Sequence, residues 1–241
     1  MLMPAAEAET LAWWRFEQSF ESEVHADQLS LTPAASNGFS DLVPGSPIVA
    51  GPDSSLPNKS SFSNELDRGA ICARNDVLEQ IAQGASFTIE AFVRQDRAGI
   101  NENKEPTFQR IIGDGVNEEP GGWGFMVHEG KLRFFAFQAS DGEVIALASE
   151  AAVNDGEWHH VAIVGLRDDD MLTLQLYVDY VAEPRIADLT VDKASGRVIA
   201  PINQPYIVGG YNRFFGQIDE LRISNKALSE SQFLRATPAK P

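Results

Sequence analysis

Side chains alternate with a period of two through most of this chain. In Ser86–Arg94, Phe87, Ile89, Ala91 and Val93 fall on one side of an extended backbone, with Thr88, Glu90, Phe92 and Arg94 on the other. Leu172, Leu174, Leu176 and Val178 alternate in the same way with Thr173, Gln175, Tyr177 and Asp179. This is the pattern of strands with one face in a core, and it excludes helix over those runs. Similar runs occupy Phe108–Ile112, Trp123–His128, Lys131–Gln138, Glu143–Ser149, Trp158–Val164, Tyr206–Val208 and Phe214–Ile223.

Most of these runs are separated by Gly113-Asp114-Gly115, Glu129-Gly130, Asp141-Gly142, Asp155-Gly156 or Asp168-Asp169-Asp170, residues that favour tight turns. Ten or more short strands with almost no helix between them cannot build a parallel sheet with crossover helices. They predict an all-β antiparallel sandwich. Leu11–Glu17 adds an aromatic-rich strand at the start. The proline-punctuated stretch Gln18–Lys59 is too long for a bare loop, so short β segments are expected near Gln28–Leu31 and Ser46–Val49. Two short helices are expected. Asp76 and Glu79 have capping-box spacing before Ile81, and Ser229 and Gln232 repeat it before Phe233. There is no internal repeat and no linker, so one domain is expected over residues 11–236. A disordered or processed N-terminus, 1–10, precedes it and a tail, 237–241, follows.

With 43% hydrophobic residues the chain can bury a sizeable core. Its 35 acidic residues against 19 Lys and Arg give a formal charge of −16, which argues against nucleic acid and against anionic membrane surfaces. No run is long and apolar enough to span a bilayer, so no membrane insertion is expected. One cysteine, Cys72, excludes an internal disulfide. It lies in the apolar run Ala70–Ala73 and reads as a small buried thiol rather than a nucleophile.

Several segments taken together carry a family likeness. Trp13–Glu17, Phe87–Val93, Gly122–Phe125, Asp155–Ala162, Leu176–Asp179, Phe215–Ile223 and Ala227–Glu230 resemble, in order, the laminin G-like domains of the concanavalin A-like lectin/glucanase superfamily. The resemblance implies a jelly roll of two curved antiparallel sheets, found mostly in secreted, periplasmic or cell-surface proteins. Two departures stand out. Tyr180 occupies the hairpin position where relatives carry glycine, so that turn is expected to be shaped differently. Ala34–Gly38 lacks the acidic residue of an equivalent loop in many relatives, which weakens any metal role for it.

Some relatives hydrolyse β-glucans with a Glu-x-Asp-x-x-Glu strand, so glycoside hydrolase or lyase activity on a polysaccharide is the alternative function. The chemistry needs two carboxylates facing one cleft. Glu65–Ala70 ends in Ala where the second acid belongs, and Gln217–Arg222 has Gln and Arg at both required positions. His159 and His160 are neighbours on a strand, point to opposite faces and cannot chelate one ion together. His25 and His128 have no ligand spacing. The glycine pairs near Gly113 and Gly209 lack the helix that would aim amides at a phosphate.

Calcium is the expected cofactor, because long loops of such sandwiches can be fixed by oxygen ligands. Glu17 at the end of the first strand and Asp219 in the last are the candidate metal ligands, unless either pairs with Arg15 or Arg222. For a carbohydrate ligand the candidate platform is Phe92, Trp123, Phe135, Phe137, Tyr211 and Phe214, aromatic residues near polar neighbours. Phe92 stands out because it shares a face with Thr88, Glu90 and Arg94, a face expected to be accessible. The reading is a non-catalytic recognition module for glycan or extracellular protein ligands. A structural domain packing against a neighbour is a further alternative.

Overall fold

The computed structural model describes residues 9–17, 19–33, 40–44, 49–50, 59–64, 69–95, 107–114, 120–210 and 214–236. Strands β1 (Thr10–Trp14), β2 (Thr32–Pro33), β3 (Ser40–Pro44), β4 (Val49–Ala50), β5 (Ser60–Asn64) and β6 (Ala70–Cys72) precede helix α1 (Asp76–Ala82). Then come β7 (Phe87–Gln95), β8 (Gln109–Asp114), β9 (Trp123–His128), β10 (Lys131–Phe137) and β11 (Val144–Ala152). Strands β12 (Trp158–Asp168), β13 (Met171–Val178), β14 (Val181–Thr190), β15 (Tyr206–Val208) and β16 (Gly216–Ser224) follow. A single 3₁₀ turn, Glu230–Gln232, leads into β17 (Arg235–Ala236).

Among the described residues one sheet has eight strands, in the order β14-β13-β12-β7-β16-β5-β3, with β1 also pairing β16. The other has seven, ordered β11-β10-β9-β8-β15-β6-β2. Every pairing is antiparallel, as the turn-punctuated alternation requires. The expected β segment at Gln28–Leu31 forms a few residues later, at β2. Of the one expected at Ser46–Val49, Val49 begins β4, and residues 46–48 lie outside the described residues.

The two sheets enclose one core. Phe87, Ile89, Ala91 and Val93 of β7 and Leu172, Leu174, Leu176 and Val178 of β13 all point into it, as their alternation predicts. Opposite them are Leu132, Phe134 and Ala136 of β10 and Trp123, Phe125 and Val127 of β9. The Trp123 ring stacks on Phe134 at 6.1 Å. Cys72 is buried here too, and burial pushes its thiol pKa up to about 11 despite a hydrogen bond from Asn75. A thiolate is therefore not formed near neutral pH.

Helix α1 is capped one residue earlier than the spacing suggested. The Asn75 side chain accepts the Leu78 amide, and Glu79 instead pairs with Arg74 and Arg197. At Ser229 the expected capping box forms, closing the short 3₁₀ turn.

The hairpin between β13 and β14 corrects an expectation. Asp179 and Tyr180 have φ of 49° and 68°, both in the left-handed region, which is the signature of the two-residue type I′ turn that glycine usually fills. The turn keeps its ordinary form, and Tyr180 is held in this unfavourable backbone by its ring. That ring stacks on His160 at 4.5 Å and lies beneath the Arg235 guanidinium at 3.9 Å.

At the same end of the sandwich His159 bridges two loops. Its Nδ1 lies 2.8 Å from Asp179 and its Nε2 3.0 Å from Asp155. The hydrogen bond to Asp179, opposed by burial and helped by Asp155, pushes its pKa up to about 9 from the usual 6.5. A folded-state pKa above the unfolded one means that the folded chain holds the extra proton. This stabilisation is complete below pH 6.5 and is lost as pH rises through 9. Thermal melts of wild type and His159→Gln should therefore diverge most at low pH and converge toward pH 9 and above. Parallel curves across that window would contradict the bridge.

Candidate functional site: the open face of the seven-stranded sheet

The outer faces of the two sheets differ because the C-terminal segment crosses only one of them. The side chains of Thr88, Glu90 and Phe92 emerge on the outer face of the eight-stranded sheet, and residues 226–236 run over them. Thr88 Oγ1 donates to the Lys226 carbonyl at 2.6 Å and accepts the Leu228 amide at 2.9 Å. Two residues along β7, Glu90 accepts from the Leu234 amide at 2.8 Å, from His160 Nε2 at 2.9 Å and from Arg222 Nε at 2.8 Å. Arg222 also donates to the Gln232 carbonyl. Burial alone would raise the pKa of Glu90, but the His160 hydrogen bond and the Arg222 charge outweigh it and hold the carboxyl below its usual range. Phe233 and Leu228 pack on Ala162 and Val164, and Leu234 packs on Phe92.

This covering overturns the expectation that Phe92 is accessible: it is 2% exposed, roofed by Leu234 and flanked by Trp13 and Trp158. The two adjacent histidines point apart, as a strand dictates. His160 serves Glu90 under the C-terminal segment, while His159 holds the loop carboxylates.

Among the described residues the outer face of the seven-stranded sheet is exposed only in part: Phe135 and Phe137 of β10 are half-buried, whereas the outward Met126 of β9 and Arg110 of β8 are buried. Strand β10 sends Leu132, Phe134 and Ala136 inward, so Lys131, Arg133, Phe135 and Phe137 face out. Register then sets their neighbours. Arg133 pairs Met126 of β9 and Ala148 of β11, and Met126 pairs Arg110 of β8, so two guanidinium-bearing residues flank a methionine in one row. In the next row Phe135 lies between Gly124 and Ala146, and beyond it Phe137 pairs Val144.

Gly124 makes room for Phe135. A Cβ at that position would stand 2.5 Å from Phe135 Cε1 and 2.7 Å from Met126 Cε, so the ring lies across the glycine backbone. The two rings of β10 meet edge to face at 6.2 Å. Phe108, 43% exposed, stacks on His128 at 4.1 Å with 17° between the planes.

These side chains, with Gly121, Phe134 and the edge residues Val144 and Ala146, line a half-open depression of about 310 Å³. That volume is at the lower end for sites that take small ligands. Its only polar lining groups, among the described residues, are Arg110 and Arg133. The Nε of Arg133 is buried without a hydrogen-bond acceptor, and the nearby Glu129 carboxylate stands 3.6 Å from Nη2. His128 has a lowered pKa, first from burial and then from the Arg133 charge.

Of the sequence-derived platform residues, Phe135 and Phe137 are in this depression. Trp123 and Phe214 are core residues at 0% and 1% exposure and cannot stack on a ligand: β9 turns Trp123 toward the opposite sheet, and Phe214, just before β16, is buried in the core. Tyr211 lies outside the described residues. The residues missed were Phe108, Arg110, Met126, Arg133, Val144 and Ala146.

The pairing of β1 with β16 brings the first and last strands together, but the carboxylates of Glu17 and Asp219 are both engaged. Glu17 Oε1 accepts the Lys59 and Ser60 amides, and Asp219 Oδ1 accepts the Glu220 amide. Among the described residues Arg15 meets Glu220, and Arg222 meets Glu90. Glu220 sits at a bulge in β16 with φ of 50°, and burial, opposed by Arg15, raises its pKa to about 7. Calcium needs six to eight oxygens. No group of His, Cys, Asp or Glu able to hold a metal is found among the described residues, and the pair does not make such a cage. Of the two partial glucanase motifs, Glu65–Arg68 lies outside the described residues, and in the other Arg222 serves as the counter-charge of buried Glu90.

Two stacked antiparallel sheets, one face sealed and one carrying an aromatic depression, define a jelly-roll domain of the lectin type. Consistent with that class, the sequence model of the concanavalin A-like lectin/glucanases superfamily matches residues 68–232. The chain belongs to this superfamily, in its laminin G-like branch.

No curated protein matches the chain by sequence. Among solved structures it is similar to the binding domain of Paraclostridial Mosquitocidal Protein 1, with a TM-score of 0.57 and 16% identity over 92% of this chain and 50% of that one. The binding domain of botulinum neurotoxin DC, solved with rat synaptotagmin II, gives 0.56 and 14% over 92% and 49%. The CBM40 of the Ruminococcus gnavus IT-sialidase gives 0.51 and 14% over 70% and 93%. The chain thus spans about half the length of the two toxin binding domains. At these identities the likeness is one of fold. No described helix is long and apolar enough to cross a membrane.

Removing the central carboxylate of the covered face leaves Arg222 without its counter-charge and the buried His160 Nε2 without its partner. Glu90→Ala should lower unfolding free energy by about 3–5 kcal/mol in urea titrations. A loss below about 1 kcal/mol would mean that the C-terminal segment is not anchored there.

Proposed function

We propose that this domain is a non-catalytic recognition module that works outside the cytoplasm (secreted, periplasmic or at the cell surface) and holds a glycan or protein ligand on the open face of its seven-stranded sheet. The observation that carries this reading is the aromatic depression around Phe135, Phe137 and Phe108, built on paired strands and half open among the described residues, while the opposite face is sealed. Preformed, mostly apolar concavities with a few placed charges are what binding sites need. The described lining offers no acid, base or nucleophile in the arrangement that bond cleavage requires. Glycan and protein are the two ligand classes to test first, because the CBM40 of similar fold has been solved with sialyllactose and the toxin domain with synaptotagmin.

The test is to probe glycan and peptide arrays with wild type, Phe135→Ala and Gly124→Ala. The second variant leaves Phe135 in the sequence but displaces its ring, since the added Cβ would occupy that space. A ligand retained by wild type should bind about tenfold more weakly to Phe135→Ala and measurably more weakly to Gly124→Ala, both with near-native melting. Undiminished binding by both variants would overturn this assignment of the site.

A further inference from the structure

We infer that the ligand of this depression is an acidic polypeptide segment that presents an apolar side chain beside a carboxylate; the inference rests on the recognition reading above. The lining decides between the two ligand classes. A sugar ring brings several hydroxyls, and each hydroxyl buried without a partner costs about 1–3 kcal/mol. Among the described lining residues there is no Asn, Gln, Asp, Glu, Ser, Thr, Tyr or Trp to receive them. The rings of Phe135, Phe137 and Phe108, with the Met126 thioether, instead suit an aromatic or branched apolar side chain.

The charges specify the rest. Arg133 and Arg110 lie on either side of Met126 in one row of the sheet, and Lys131 emerges two residues before Arg133 on the same face of β10. Arg133 Nε lacks an acceptor, and its ion pair with Glu129 is longer than a hydrogen bond. A ligand carboxylate would supply the missing acceptor through the guanidinium fork. On a chain of net charge −16, exposed Lys131 and the half-buried Arg133 beside an apolar hollow also direct an acidic partner to this surface and away from the rest.

The site's edge favours a polypeptide over a free small acid. The depression is half open, so an alkyl chain lying in it would stay wet along one side. It is bordered by β11, the terminal strand of the sheet, whose ladder partner is β10. The far edge of β11 faces β14, where the Glu150 amide donates to Glu183, so an extended peptide would lie over Val144–Ala148 and drop alternate side chains toward Phe135 and Arg133 without joining the ladder.

Calorimetric titration of the full chain tests this with four probes: an extended peptide alternating Asp with Phe or Leu, the same peptide with Lys for Asp, sialyllactose, and a neutral β-glucan oligosaccharide. The acidic peptide should bind, the Lys peptide about tenfold more weakly or not at all, and added NaCl should weaken the acidic complex. Arg133→Gln should cost the acidic peptide about tenfold and flatten its salt dependence. Arg133→Lys, which keeps the charge without the fork, should fall between. Failure of the acidic peptide to bind, equal affinity for both peptides, or indifference to Arg133→Gln in a normally melting variant would overturn the inference. A saccharide bound in a Phe135-dependent manner, with no peptide binding, would overturn it while leaving the recognition module in place. Binding of any probe that is indifferent to Phe135→Ala would remove both.

Discussion

The Glu90 carboxylate is sealed from water and shared between an imidazole, a guanidinium and a main-chain amide that lies 144 residues further along the chain. Each of those groups would be costly to bury alone, and together they compensate one another. The geometry also has a consequence at longer range. Because the amide belongs to Leu234, satisfying Glu90 lays the C-terminal segment over β7, β12 and β16. Phe92 and His160 then become interior residues of a sheet face that would otherwise meet solvent, with Tyr180 half-buried at its edge. Tyr180 can fill a glycine-type turn for the same reason, since its ring is gripped between His160 and Arg235.

With one face closed, the exposed aromatic residues of the described sheets fall on the other. There the alternation along β10 sorts residues cleanly. Every second side chain joins the core, and the remainder form a ribbon of Lys131, Arg133, Phe135 and Phe137. Gly124 on the neighbouring strand supplies the missing volume into which Phe135 lies flat. Among the described residues the hollow is thus a product of strand register and one absent side chain. Its chemistry is narrow, with aromatic rings, a thioether and two guanidiniums.

The sandwich could be read from the chain because half-buried strands write their geometry into local sequence. Phe87–Val93, Leu172–Val178, Trp123–His128 and Tyr206–Val208 were placed correctly, and one of the two helices was displaced only in its cap, Asn75. What local sequence could not supply was which faces lie open. The accessibility of Phe92 depends on Leu234, and nothing near Phe92 announces that contact. Trp123–Val127 is buried on both faces, so alternation there does not tell a core ring from a platform ring. Strand β8 carries a register shift between Arg110 and Ile112, which breaks the period that would have placed Arg110 outward. Strand β14 escaped notice because it is an edge strand with exposed Val181 and Ile186 and a Pro184 in its middle, features that keep edges from pairing but disguise a strand. The Glu17–Asp219 pairing was proposed from chain proximity. Strands β1 and β16 do pair, but main-chain amides already occupy Oε1 of one carboxylate and Oδ1 of the other.

The most direct measurement of this division of labour is hydroxyl-radical footprinting of the free, folded chain, read residue by residue. The account predicts rapid oxidation of Phe108, Phe135 and Phe137, with Phe92, Phe233 and Leu234 modified far more slowly because the C-terminal segment stays seated. Slow labelling of the Phe135 face with ready labelling of Phe92 and Phe233 would place the open surface on the eight-stranded sheet and contradict it.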